Sequence, residues 1–292
     1  MGVLRFAGAD AQSFLQGQVS NDTRRLAAGE PLRAAYSSPQ GRVIAILELL
    51  PHASGILALL PRELAAPTRE RLRRFVLRAK LQIEDLSDSL PVWGVHGAAT
   101  LTAWELPRPA AKPAYMEQGA VGIAGVGGDP DRYWVVGDPG AAAGTLAAAD
   151  VERDWRLANI RAGIPQVYAP TSEAFVAQML NLDLVDGISF TKGCFTGQEI
   201  IARTQHLGRI KRRMFRLGLP PGAWRIGQTL RLADGRSGRL TELAESDAGI
   251  EALAVLNLAA AEPDGDDAEA AVTTAVELAL PYEFARPAAI SR

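Results

Sequence analysis

The sequence predicts an α+β protein that ends in a small all-β unit. Three observations carry that reading. Strand-length apolar runs and amphipathic segments mix over the first 150 or so residues without a regular βαβ repeat. A glycine-rich segment, "GISFTKGCFTGQEIIARTQHLG" (187–208), closes that part of the chain. From Lys211 onward come short β-rich runs separated by Gly turns, among them "RRMFRLGL", "QTLRLA", "GRLTEL" and "GIEALAVLNL". The boundaries expected are an α+β region over 1–207, with two subdomains split near 90, and a C-terminal β-barrel over 208–292.

Taken in order, Gly8-Ala9-Asp10 ends a first apolar run, and Asp10 is placed to cap a helix carrying Phe14 and Leu15, which "SND" (20–22) closes. "AAYSSPQGRVIAILELLP" reads as strand, turn, strand, because Ser38-Pro39-Gln40-Gly41 is turn chemistry, and "SGILALLP" extends a meander. Pro67 and Thr68 open a helix through "RERLRRFVLRAKLQI", with Leu72, Phe75, Val76 and Ala79 on one face. "PVWGVHG" is a strand, "AATLTAWEL" a helix, "AVGIAGV" and "RYWVVGD" a strand pair, and 140–149 a helix. "GVGGD" (125–129) precedes a strand instead of opening a helix, so it is a turn and no dinucleotide fingerprint. "VERDWRLANIRAG" (151–163) is a helix with a Gly stop, and the acidic "AEPDGDDAEA" (261–270) is an exposed loop.

Lys+Arg 31 against Asp+Glu 33 gives a net charge of -2, which exerts no global pull toward nucleic acid or anionic lipid. A single cysteine cannot form an internal disulfide. No secretory leader is read at the N-terminus, and no run approaches the roughly 18 apolar residues of a membrane span. A cytoplasmic, monomeric protein is expected, without a membrane partner.

The cysteine segment carries the chemistry. Thr196-Gly197-Gln198-Glu199 fits a capping box, with Thr196 at the N-cap and Glu199 reaching back. Cys194 precedes the helix start, where amides and partial positive charge gather, and Lys192 adds a cation; both favour a thiolate. Gly193 and Gly197 allow unusual backbone angles and a close approach. A buried structural cysteine beside an ordinary helix fits the same residues. Four-cysteine ligation from this chain alone is impossible, and no metal site is assigned.

"KGCFTGQEIIAR" resembles the signature of the YgfZ-type folate-binding proteins, relatives of the glycine-cleavage T-protein, an aminomethyltransferase. "FLQGQVSND" (14–22), "SPQGRVIA" (38–45), "WRLANIRAGIP" (155–165) and "MLNLDLVDGISF" (179–190) are similar to further blocks of that family in order and spacing. The resemblance implies a T-protein-like multidomain fold, mixed α+β N-terminal domains and a C-terminal β-barrel around a central folate cavity. It implies a bound tetrahydrofolate or related reduced folate. It also implies a role in iron–sulfur cluster assembly or repair, in bacteria tied to tRNA modification by cluster enzymes. Partners would be iron–sulfur assembly proteins or client enzymes, with no direct nucleic-acid contact expected. Cys194 becomes the functional thiol and Lys192 its electrostatic partner; Trp155, Gly193, Gly197, Gln198 and Glu199 become folate contacts. Two departures stand out: where the transferases carry an acidic pair this sequence has Ile44 and Ala45, and where they carry a Glu it has Arg161. A binding or assembly factor is therefore expected ahead of an active one-carbon transferase.

Other candidates read more simply. Trp155 offers a flat face to a pterin, or is a core residue beside Leu157 and Ile160. His96 and His206 lack any metal-binding spacing. The basic clusters "RERLRRFVLRAK" (69–80) and "RIKRRMFR" (209–216) could meet phosphates or a polyglutamate tail, and they alone support a third alternative, a tRNA-binding protein.

Overall fold

The opening apolar run forms strand β1 (Gly2–Ala7) and stops at Gly8, whose φ of +130° suits glycine and whose added Cβ would lie 2.2 Å from the Lys80 carbonyl. The computed structural model describes residues 1–109, 114–126, 131–140, 148–206, 210–260 and 272–285. Helix α1 (Ala11–Gln16) follows. Asp10 does not cap it; the carboxylate accepts from the Lys80 amide at 2.7 Å instead. The meander is β2 (Leu32–Ser37), β3 (Val43–His52) and β4 (Gly55–Leu60), with the Gly41 amide donating to the Ser38 carbonyl across the expected turn at 2.8 Å.

Helix α2 (Arg62–Arg73) starts earlier than expected, with Pro67 inside it, and ends at Arg73 instead of running on toward Ile83. Leu64, Ala65, Thr68 and Leu72 bury its inner stripe. The chain then has to reverse, because β5 (Gln82–Asp85) pairs antiparallel with β1, Phe6 opposite Ile83. Phe75 and Leu77, the first of which was expected on the buried face, are left 49% and 86% exposed. The first sheet has the order β2-β3-β4-β1-β5.

A second antiparallel sheet, in the order β6-β9-β8-β7, contains β6 (Val92–His96), β7 (Tyr115–Gln118), β8 (Val121–Gly125) and β9 (Arg132–Val136), with α3 (Ala98–Ala103) between β6 and β7. Strand β7 was not read from the sequence. Helix α4 (Ala148–Arg161) sends Ile160 into the main core and Trp155 into a smaller one with Val3, Leu50 and Trp134. The turn at 125–129, the helix expected over 140–149 and the acidic stretch 261–270 fall wholly or largely outside the described residues.

After α5 (Gln198–His206) come β10 (Arg212–Leu219), β11 (Thr229–Leu232), β12 (Ser237–Ser246), β13 (Gly249–Asn257), β14 (Val272–Thr273) and β15 (Val276–Leu278). They form one sheet in the order β14-β11-β12-β13-β10-β15. Among the described residues no pairing joins β14 to β15, so the closure expected of a barrel is not seen in them. Phe215, Leu217 and Leu256 line its own core, while Met214, Leu253 and Val255 face the main one.

Polar ties lock this sheet to the rest. Arg213 meets Asp183 through two hydrogen bonds of 2.6 and 2.8 Å, both side chains buried. The Tyr168 hydroxyl donates to Glu242 on β12, and Arg156 of α4 stands 3.7 Å from the same carboxylate. Burial nevertheless pushes the Glu242 carboxyl up from 4.5 to about 7, against the opposing pull of Tyr168 and Arg156. The folded state therefore keeps a proton that the unfolded chain releases near 4.5. Stability from this group is full at low pH and is lost as pH rises through about 7, by about 3 kcal/mol over the window. Denaturation midpoints at pH 5, 6 and 7 should fall in the wild type and fall less in Glu242→Gln; parallel profiles would contradict the assignment.

Candidate functional site

Lys192 is 5% exposed, and its ammonium donates to the carbonyls of Gln16 at 2.7 Å, Val19 at 2.7 Å and Asn21 at 2.8 Å. An ammonium has three protons and no acceptor, so these three oxygens satisfy it completely. Burial lowers its pKa to about 8, with the nearby Asp22 carboxylate favouring the charge. The carbonyls act in the same sense as Asp22, since a neutral amine has only two protons to offer three acceptors.

The same stretch of the N-terminal region receives the cysteine segment at further points. The Thr196 amide donates to Gly17 at 3.1 Å and the Ser189 amide to Ser20 at 3.0 Å. Buried Ser20 donates to the Gly187 carbonyl at 2.6 Å and accepts from the Ala35 amide at 2.8 Å. Buried Asn21 bridges the carbonyls of Arg33, 2.8 Å, and Asp186, 2.7 Å. Three segments distant in sequence, 14–22, 38–45 and 187–201, thus form one junction.

Glycines close it. Gly197 has φ +81°, and a Cβ there would stand 2.7 Å from the Ser38 carbonyl oxygen and 3.1 Å from Gly41 Cα. Gly41, at φ +71°, would in turn place a Cβ 2.7 Å from the Ile200 Cβ. The turn and the start of α5 therefore interlock. The helix begins at Gln198, so Gly197 occupies the position expected for Thr196. Among the described residues neither the Thr196 hydroxyl nor the Glu199 carboxylate bonds a helix-start amide, and the capping box is not formed. Gln198 is half-buried and Glu199 exposed.

Cys194 is exposed on this junction, between buried Lys192 and Phe195. Gly193 is exposed too, with open space where a Cβ would stand and no left-handed φ. Lys192, Gly193, Cys194, Gly197, Gln198 and Glu199 are thus brought together, while Trp155 lies in the other core. Ser20 and Asn21 went unread as site residues. Their only signal was the polar "SND" in a segment that resembles a family block.

Trp155 is 8% exposed. It packs on Gly94, whose added Cβ would lie 2.5 Å from the indole, and on Trp134 at 4.2 Å between centroids. His96 meets it edge-on at 5.5 Å and the Arg132 guanidinium sits 5.2 Å from its centre. His96 and Arg132 also line a cleft of about 750 Å³, walled by Leu157, Ala158 and Arg161 of α4 and by Asp247 from the β12–β13 turn. Trp155 stands directly behind that wall. Arg161 is tied to Glu251 of β13 at 2.8 Å. Ile44 and Ala45 are buried in the main core and carry no titratable group. A smaller cavity, about 320 Å³, lies between the first two sheets beside the Arg33–Glu48 ion pair and Trp134.

No family model matches the sequence. The chain is 32% identical over 221 residues to the tRNA-modifying protein YgfZ of Colwellia psychrerythraea strain 34H, covering 73% of this chain and 68% of the relative. It is 30% identical over 244 residues to the tRNA-modifying protein YgfZ of Escherichia coli K12, covering 80% and 74%. Among solved structures, the glycine cleavage system aminomethyltransferase T from Bartonella henselae superposes with a TM-score of 0.67 over 88% of this chain and 76% of that one, at 16% identity. The last is a likeness of fold.

Proposed function

Because this chain belongs to the family of the tRNA-modifying protein YgfZ, we propose that it is a folate-binding accessory protein for iron–sulfur cluster assembly or repair, serving cluster enzymes that modify tRNA. The observation that carries the reading is the single thiol, exposed on a segment that the buried Lys192 ammonium fastens to the N-terminal region. A thiolate there can ligate iron or a cluster in transit together with a partner's cysteines, or exchange with a partner thiol. It cannot hold a cluster alone: the chain has one cysteine, and among the described residues no three His, Cys, Asp or Glu side chains stand together. Aminomethyl transfer is not part of the proposal, since Ile44 and Ala45 supply neither acid nor base.

We place the folate in the cleft beside α4, whose volume of about 750 Å³ lies within the range of small-molecule sites. The pterin lies at the His96–Arg132 end, backed by Trp155. Titration of the pure protein with tetrahydrofolate should quench Trp fluorescence saturably, and Trp155→Ala should weaken binding several-fold by loosening the His96 and Arg132 side chains that pack on the indole. Absence of saturable quenching would remove folate from the account. Unchanged affinity in Trp155→Ala, with loss in a Glu48→Gln variant, would move the folate to the smaller cavity.

A further inference from the structure

The loop after α2 exposes Phe75, which the sequence places on a buried helix face, and Leu77 beside it. Phe75 and Leu77 are 49% and 86% exposed, and Arg74, Arg78 and Lys80 flank them, all exposed. Arg71 and Arg73, by contrast, have Glu173 and Glu70 at 2.6 and 3.4 Å. Among the described residues no carboxylate pairs with Arg74, Arg78 or Lys80. An apolar pair ringed by uncompensated cations is the anatomy of an interface core with a polar rim.

Its position matters as much as its chemistry. Helix α1 has Lys80 at its start, where the Asp10 carboxylate accepts from the Lys80 amide at 2.7 Å. At its other end the Gly17 carbonyl accepts from Thr196, two residues past Cys194. Six helical residues span about 9 Å. On the opposite side, Arg71 and Arg74 act electrostatically on the Tyr36 phenol, and the neighbouring Ser37 Cβ lies 3.3 Å from where a Gly197 Cβ would be. Patch and thiol therefore lie within the footprint of one standard interface, about 800 Å² per partner.

We infer that the 74–80 loop is the docking surface for the protein whose cysteines share iron or cluster with Cys194, a partner presenting an apolar pocket with an acidic rim. This rests on the function proposed above. A lone thiol requires the remaining ligands to come from outside, so whatever delivers or receives the cluster must press against the surface beside it. The charge of the loop selects a negative rim, and the bare backbone of Gly193 leaves the approach open. RNA brings no thiolate to complete a ligand set with Cys194.

The test is fluorescence anisotropy of a labelled, purified iron–sulfur tRNA-modifying enzyme, titrated with the full chain. Saturable binding is expected. It should weaken about tenfold or more in Arg74→Glu/Arg78→Glu and in Leu77→Ser, and also between low and moderately high salt. Matching thermal melts confirm that these exposed substitutions leave the fold intact. No binding, or binding that the patch variants leave unchanged, overturns the inference without touching the role of Cys194. Labelled tRNA and phosphatidylglycerol vesicles are run alongside; binding to either that the patch variants abolish also overturns it, in favour of a nucleic-acid or lipid surface.

Discussion

Lys192→Met should be the most destabilising single substitution at the site, by on the order of 3–6 kcal/mol. Methionine matches the length of the stem but offers no proton, so the carbonyls of Gln16, Val19 and Asn21 lose the donor that a buried side chain brought them. Each buried acceptor left unpaired costs about 1–3 kcal/mol, and hydrogen bonds to a charged donor lie at the upper end. Set against a typical total of 5–15 kcal/mol, that removes a large share of the stability and detaches the cysteine segment from α1. Lys192→Arg should rescue little, because a planar guanidinium cannot direct protons at three converging oxygens. Denaturant titration checks it: a midpoint unchanged in Lys192→Met would mean that the ammonium is not a structural tie.

Much of the architecture was legible where local chemistry and tertiary demand agree. The meander 32–60 was read because Ser38-Pro39-Gln40-Gly41 can do little but turn and the flanking runs are apolar. The end of α2 was not. Its helical period continues past Arg73 into Phe75, Val76 and Ala79, and nothing local reports that β5 must return to pair with β1. Strand β7 is short, half polar and stabilised by Val121–Gly125 alongside it, so its signal lies in the partner. Closure of the C-terminal sheet is likewise a property of its edges, which a succession of β-rich runs does not encode.

The site was legible as a motif and opaque as a mechanism. "KGCFTGQE" placed a lysine, a thiol and two glycines together, and they are together. What the lysine bonds to could not be read, because its partners are main-chain carbonyls of residues 16, 19 and 21, and a carbonyl has no letter in the sequence. The need for glycine at 197 could be read as freedom; its cause, the Ser38 carbonyl 2.7 Å from the missing Cβ, could not. Trp155 takes the core reading, packed on Trp134 and Gly94, although in a different core from Ile160.

The second large effect is a loss of function without a loss of fold. Cys194 is exposed, donates no structural hydrogen bond among the described residues, and sits on a segment fastened by Lys192, Ser189 and Thr196 rather than by its own sulfur. Serine is nearly isosteric, but its hydroxyl is neither the nucleophile nor the iron ligand that a cysteine sulfur is. The melting temperature of Cys194→Ser should therefore stay close to that of the wild type, and its tetrahydrofolate affinity should be unchanged. The decisive measurement is the activity of an iron–sulfur tRNA-modifying enzyme in cells that lack the native protein. Wild-type chain should restore that activity, and Cys194→Ser, expressed at the same level, should leave it where an empty vector does. Full restoration by Cys194→Ser would contradict the account and return the thiol to a packing role.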